Sequence, residues 1–294
     1  MTQLLTAILS GFGIGSVFAL VALGFSFIFK TTDSFNFAQG QLVTVGSLFS
    51  FTFYMLFGVP AALTVIIVVV LTGLLGGVIE RVAILPLSRR GDTNPLLWIM
   101  STLGISSILS GVSIRIWGSQ PLGVNNYVGA AVTHFGASYI ATPYILAFGG
   151  AILVAVAIAI FQNKTRWGRT MRAIADNRVA VQLAGVNTLT YGLVAYVIGA
   201  ALAGVAGFLI APISYATATG GFTFTIMGFA ALAMGGFGSH WGALIGGWLV
   251  GLIQTVAGIY LGLQYSDLAV FIVLLALLMI RPDGLFSFGR TRKV

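Results

Sequence analysis

Long apolar runs separated by short polar connections organise this chain. The runs lie near residues 4–29, 36–57, 61–85, 95–117, 142–161, 187–211 and 241–262, with shorter ones at 222–235 and 266–281. A membrane-crossing helix needs about 20 predominantly apolar residues. The pattern therefore predicts an all-α, polytopic membrane helix bundle of about nine spans, within a range of eight to ten. Prolines mark the run ends independently of hydropathy. Pro60, Pro86, Pro95, Pro121, Pro143, Pro212 and Pro282 all fall at or just outside a proposed end, as expected of a residue that lacks an N–H and clashes inside a helix. The first run has no basic stretch before it and exceeds a signal's apolar core. A retained first span is expected rather than a cleaved signal.

Composition agrees. The chain is 58% hydrophobic and 7% charged, against roughly 25% charged in soluble domains, so lipid is its main solvent. A net charge of +8 does not indicate nucleic acid, because the basic residues are confined to connections. They serve instead as topology signals. With the loop at 162–186 placed in the cytoplasm, Lys30, Arg81, Arg89, Arg90, Arg281, Arg290, Arg292 and Lys293 also fall inside. Thirteen of the fourteen basic residues are then cytoplasmic and Arg115 is outside. Nine crossings follow, with the N-terminus outside and the C-terminus cytoplasmic. Residues 1–294 read as a single transmembrane domain. Zero cysteines exclude thiolate chemistry, and two histidines with six carboxylates leave little for a metal centre, so none is expected. No phosphate-binding Gly-x-x-x-x-Gly-Lys-Ser/Thr motif occurs. Any ATP-using or ligand-capturing domain must then be another polypeptide.

Polar residues at membrane depth are the candidate chemistry. Asn36, Gln39, Gly40 and Gln41 place three amides beside a glycine in an apolar setting, and amides in hydrocarbon need protein or water to face. They read either as the lining of a substrate pathway or as an amide-rich turn at the cytoplasmic edge. Ser101 and Thr102 read either as further lining or as hydroxyls bonded back to helix carbonyls. The stretch 213–221 should face outside, near an entrance. No carboxylate falls in mid-span, which disfavours a proton-driven carrier. Gly11/Gly15, Gly73/Gly77, Gly242/Gly246 and Gly247/Gly251 have the spacing that lets helices approach closely, either within the chain or at a dimer face.

The basic loop has internal order. Asp176 suits an N-cap and Gly185 a C′ position, with a two-turn helix from Asn177 to Ala184 between them. Val179 and Leu183 share one face of it, and Arg178 and Gln182 the next. Arg172 and Asp176 are spaced to pair. A two-turn helix is unstable alone in water, so the segment reads either as a solvated loop or as a helix docked on a partner.

Four motifs in order carry a resemblance: Asn36-Phe37-Ala38-Gln39-Gly40; the loop from Gly168-Arg169 to Gly185-Val186-Asn187; Gly235-Gly236-Phe237-Gly238-Ser239-His240-Trp241-Gly242; and Arg281-Pro282-Asp283-Gly284-Leu285-Phe286. Over almost its whole length the chain resembles the LivH-type permeases, membrane subunits of branched-chain amino acid ABC importers akin to the ribose-type permeases. The resemblance implies a non-enzymatic subunit of the inner or plasma membrane. Its implied partners are a LivM-like second permease (or a second copy), two cytoplasmic ABC ATPases that bind the ATP, and an extracytoplasmic substrate-binding protein. It also implies that Asp176–Gly185 seats in an ATPase groove and that Asn36–Gln41 lines the path. The family motif commonly reads Asn-Phe-Ala-His-Gly-Glu, whereas Gln39 and Gln41 stand here at its His and Glu, giving a more neutral segment. Urea or an amide as cargo, and an ion-coupled carrier, are the rival readings.

Overall fold

The computed structural model describes residues 2–89, 95–129, 132–135 and 138–286; Arg90, Asp92, Arg290, Arg292 and Lys293 lie outside them. In chain order the elements are α1 (Thr2–Thr32), α2 (Gln39–Ser50) running on as a π-helical turn (Phe51–Leu56), α3 (Ala61–Ile79), a second π-helical turn (Glu80–Ile84) and α4 (Leu85–Arg89). Then come α5 (Pro95–Trp117), a hairpin of β1 (Val132–Phe135) and β2 (Ser138–Ala141), α6 (Thr142–Lys164), α7 (Arg166–Asp176) and α8 (Arg178–Leu183). The chain closes with α9 (Thr188–Ser214), α10 (Gly221–Gly235), α11 (His240–Tyr260), a 3-10 turn (Leu263–Tyr265) and α12 (Ser266–Ile280). Among the described residues, seven helical stretches are long and apolar enough to cross a membrane. Helix α10, at about 22 Å, is shorter than the ~30 Å hydrocarbon layer.

Helix α1 is the hub: 83% of its most apolar window is buried inside the chain, against 11% for α5 and α12. Glycine makes this possible. A Cβ on Gly15 would come within 2.7 Å of the Gly247 carbonyl oxygen, and one on Gly247 or Gly251 would overlap the backbone of α1. The Gly11/Gly15 and Gly247/Gly251 pairs therefore face each other across α1 and α11. Gly73/Gly77 pack on α9, and Gly242/Gly246 on α10. All four pairs serve contacts within the chain. The outer helices turn apolar stripes outward. On α3, Leu63, Ile66, Val70, Leu74 and Val78 are exposed while Val68, Thr72, Gly73 and Gly76 are buried, the arrangement expected of a helix with lipid on one side.

Three expectations need correction. Pro86 and Pro212 do not end their helices. The π-helical turn at Glu80–Ile84 precedes Pro86, and a widened turn relieves the clash with the preceding carbonyl. Pro212 sits in the last turn of α9, so the Phe208 carbonyl four residues earlier has no helical N–H to bond. It accepts the Tyr127 hydroxyl instead at 2.9 Å, and the Tyr127 ring stacks on Phe208 with centroids 4.0 Å apart. Third, the bundle carries the small antiparallel β1–β2 hairpin ahead of α6, which the apolar pattern did not announce.

Candidate functional site

At one end of the bundle the basic loop folds as two helices. Thr165 caps α7, its hydroxyl accepting the Gly168 N–H at 3.0 Å. Gly168, Met171 and Ile174 turn inward, and Met171 packs with Phe27 of α1 and Ala195 of α9. Asp176 ends α7 and does not cap the next helix. The cap is Asn177, whose Oδ1 accepts the Ala180 N–H at 3.0 Å. Asn177 has the same capping chemistry one residue later, and Asp176 is already held in helical geometry. Arg172 does not pair with Asp176 but donates to Asn163 Oδ1 at 2.6 Å.

Helix α8 is closed at its other end as expected. Gly185 has φ +82°, its N–H reaches the Gln182 carbonyl at 2.9 Å, and the Val186 N–H reaches the Val181 carbonyl at 3.3 Å. This pair of bonds with a left-handed glycine is a Schellman closure. Two side chains anchor the short helix. Arg178 donates to the Thr32 carbonyl at the end of α1 (3.4 Å), and Gln182 donates to the Thr188 hydroxyl at the start of α9 (2.9 Å). The remaining face is bare: Val179 is 65% and Leu183 85% exposed.

Next to this helix, between α1 and α2, the chain breaks. Asp33 takes φ +56°. The Thr32 and Ser34 hydroxyls bond at 2.7 Å, and Ser34 meets the Tyr196 hydroxyl at 3.1 Å. Asn36 Oδ1 then accepts the Ala38 N–H at 3.1 Å, which turns the backbone into α2. Of the predicted pathway residues, Asn36, Gln39, Gly40, Gln41 and Thr102 lie at or bond around this break, whereas Ser101 bonds the turn after α3. Gln39 Nε2 donates to the Gly199 carbonyl of α9 at 2.7 Å, and Gln41 Nε2 to the Ala218 carbonyl at 3.1 Å. The Gly40 N–H donates to Thr225 of α10 at 3.1 Å, an approach that leaves no room for a Cβ. Thr102 of α5 accepts the Phe37 N–H at 3.2 Å and donates to the Trp98 carbonyl; Ser101 reaches the Ala83 carbonyl at 3.3 Å. In this conformation Asn36, Gln39, Gly40, Gln41 and Thr102 are buried and act as a brace joining α2 to α5, α9 and α10. Two polar atoms in the brace, Asn36 Nδ2 and Gln39 Oε1, are buried without a hydrogen-bond partner. Such atoms are uncommon enough in folded proteins to suggest water or a ligand.

At the opposite end lies a feature that polar motifs alone did not reveal: a cavity of about 500 Å³ walled by α1, α2, α9, α10, α11 and the start of α12. Residues 213–215, 217 and 220 of the expected outer segment form part of its wall. That segment is fixed in place. Ala216 exchanges two backbone bonds with Leu122 (2.9 and 2.8 Å), and the Ala218 carbonyl accepts from both Gln41 and Ser110. Gln254, an amide inside an apolar run, was the available sequence signal for this cavity. Among the described residues no group of three His, Cys, Asp or Glu could hold a metal ion.

Comparison with known proteins places this arrangement. Residues 7–280 match the family described as "Branched-chain amino acid transport system / permease component". The chain is 30% identical to the high-affinity branched-chain amino acid transport system permease protein BraD of Pseudomonas aeruginosa, over 99% of this chain and 98% of that protein. It is 29% identical to the corresponding permease protein LivH of Escherichia coli K12, over 97% and 96%. A probable LivH of Methanocaldococcus jannaschii is 30% identical over 92% and 88%. No solved structure matches significantly. With its apolar bundle, its central α1 and a family match covering nearly its whole length, the chain belongs to the permease components of the branched-chain amino acid transport systems.

Proposed function

We propose that this chain is the membrane-spanning subunit of an ABC importer in the plasma membrane, carrying branched-chain or similar small neutral amino acids inward. The observation that carries this reading is α8: a capped, closed helix, tied by Arg178 to α1 and by Gln182 to α9, with Val179 and Leu183 left bare. Asp176, Asn177, Arg178, Val179, Gln182, Leu183 and Gly185 then form the lever that a cytoplasmic ATPase grips. ATP stays on two such ATPase subunits, and this chain needs no cofactor of its own. The helices that α8 holds also wall the cavity at the other end, so movement of the lever reaches the solute side through rigid elements.

Nine crossings, with α2 and α10 counted, put α8 in the cytoplasm together with the basic connections. The N-terminus is then outside and the C-terminus inside. The brace around Asn36, Gln39, Gly40, Gln41, Ser101 and Thr102 is part of the pathway wall, sealed in this conformation. The orphaned atoms of Asn36 and Gln39 become satisfied by solute or water when it opens. The second permease, a LivM-like chain or another copy, packs on the uncovered face of α5, where Gly104, Ser107 and Gly111 are exposed with open space beside both glycines. An extracytoplasmic binding protein delivers the solute.

Liposomes holding this permease, its partner permease and the ATPases, supplied with binding protein and radiolabelled leucine, should accumulate solute only with ATP. Uptake by this chain alone under a sodium gradient would overturn the reading.

A further inference from the structure

The wall of the outer cavity mixes apolar and uncharged polar side chains. Ile14 and Phe18 of α1 and Ile210 of α9 are apolar, whereas Thr217, Gln254 and Thr255 are polar and uncharged. Among the described residues, no Asp, Glu, Lys or Arg lines it. Asp267, at the head of α12, accepts the Gln254 amide at 2.8 Å and fixes that side chain in the wall. At about 500 Å³ the space falls within the 300–1,000 Å³ range of small-molecule sites and far exceeds ordinary packing voids.

We propose that this cavity is the outer binding station for the transported solute, a neutral amino acid whose aliphatic side chain enters between α1 and α9. This rests on the importer reading above. An aliphatic side chain gains by leaving water for Ile14, Phe18 and Ile210. A charged side chain would lose its hydration against a described lining that is uncharged, the nearby Asp267 carboxylate being engaged by Gln254. The permease itself thus rejects charged side chains, in addition to any selection by the binding protein. The amino and carboxylate groups remain against Thr217, Gln254 and Thr255. Gln41 belongs to both regions: its bond to the Ala218 carbonyl holds the loop carrying Thr217, so the brace and the cavity wall move together.

The chain has no cysteine, so a single introduced thiol reports cleanly. Thr217→Cys and Thr255→Cys are placed in the complete importer in liposomes, with a charged methanethiosulfonate added outside. The expected result is modification that abolishes ATP-driven leucine uptake, slowed at least about tenfold by leucine-loaded but not by empty binding protein. A second series, Thr255→Leu and Thr255→Phe, fills the space. Leucine uptake should fall progressively while ATP hydrolysis stimulated by the binding protein persists, showing that the complex still assembles. Labelling that leucine-loaded binding protein does not slow would overturn the assignment. So would labelling only by a membrane-permeant maleimide, which would give the cavity to a lipid chain, or unchanged uptake in the filled variants. Failure of the importer reading itself is distinct: the unmodified complex would then show no ATP-driven uptake.

Discussion

Leu183→Asp tests the lever directly. Leu183 is 85% exposed in the permease, so nearly all its side chain is available to a partner. Burying a leucine side chain completely is worth about 1.5–3 kcal/mol, and the ATPase groove should recover about 2 kcal/mol of that. Leu183→Ala forfeits most of this gain, a weakening of about 30-fold at 1.4 kcal/mol per decade. Leu183→Asp adds the cost of desolvating an unpaired carboxylate, so binding should fall at least ~100-fold. The permease should tolerate both changes, since exposed substitutions shift stability by only about 0.5 kcal/mol. The assay is retention of the ATPases by tagged permease extracted from membranes, alongside thermal unfolding of the permease alone. ATPase retention and uptake equal to the parent protein would refute the argument. Loss of retention with an equally destabilised permease would show that Leu183 supports its own fold instead.

Other residues give independent expectations. Gln39→Leu removes the second bond to the Gly199 carbonyl, now made at 2.7 Å, a loss of about 0.5–1.5 kcal/mol; uptake should drop while the ATPases remain attached, and unaltered uptake would make Gln39 dispensable. Asn177→Ala removes the α8 cap, a loss of about 1 kcal/mol, so uptake per ATP hydrolysed should decline, whereas Asn177→Ser should retain it. Gly247→Leu forces a side chain into the backbone of Ala19. Overpacking of this kind costs about 1–3 kcal/mol or more, and a monodisperse, normally stable protein after extraction would contradict the α1–α11 contact.

The legible and illegible parts divide on physical grounds. The bare Val179/Leu183 face and the Gly185 closure were readable because capping and i,i+4 geometry are local. The cap falls on Asn177 and not on Asp176 because α7, seated by Met171 and Ile174, runs through Asp176, a helix that no local signal in the basic loop announced. Pro212 misled for a related reason: the carbonyl it orphans is rescued by Tyr127, 81 residues away along the chain. Gln39 and Gln41 were recognisable as costly amides. Their partners, Gly199 and Ala218, could not be named, because nothing local ties residue 39 to α9 or residue 41 to the loop before α10.

By itself, the sequence determined the solvent, the apolar helices and the short capped helix, all of which follow from free energies paid residue by residue. Only the tertiary structure decided that the glycine pairs join α1 to α11, that the amides brace rather than stand open, and that a cavity lies between six helices. Those features depend on which distant surfaces meet, and close approach is a property of pairs that no single run of residues contains.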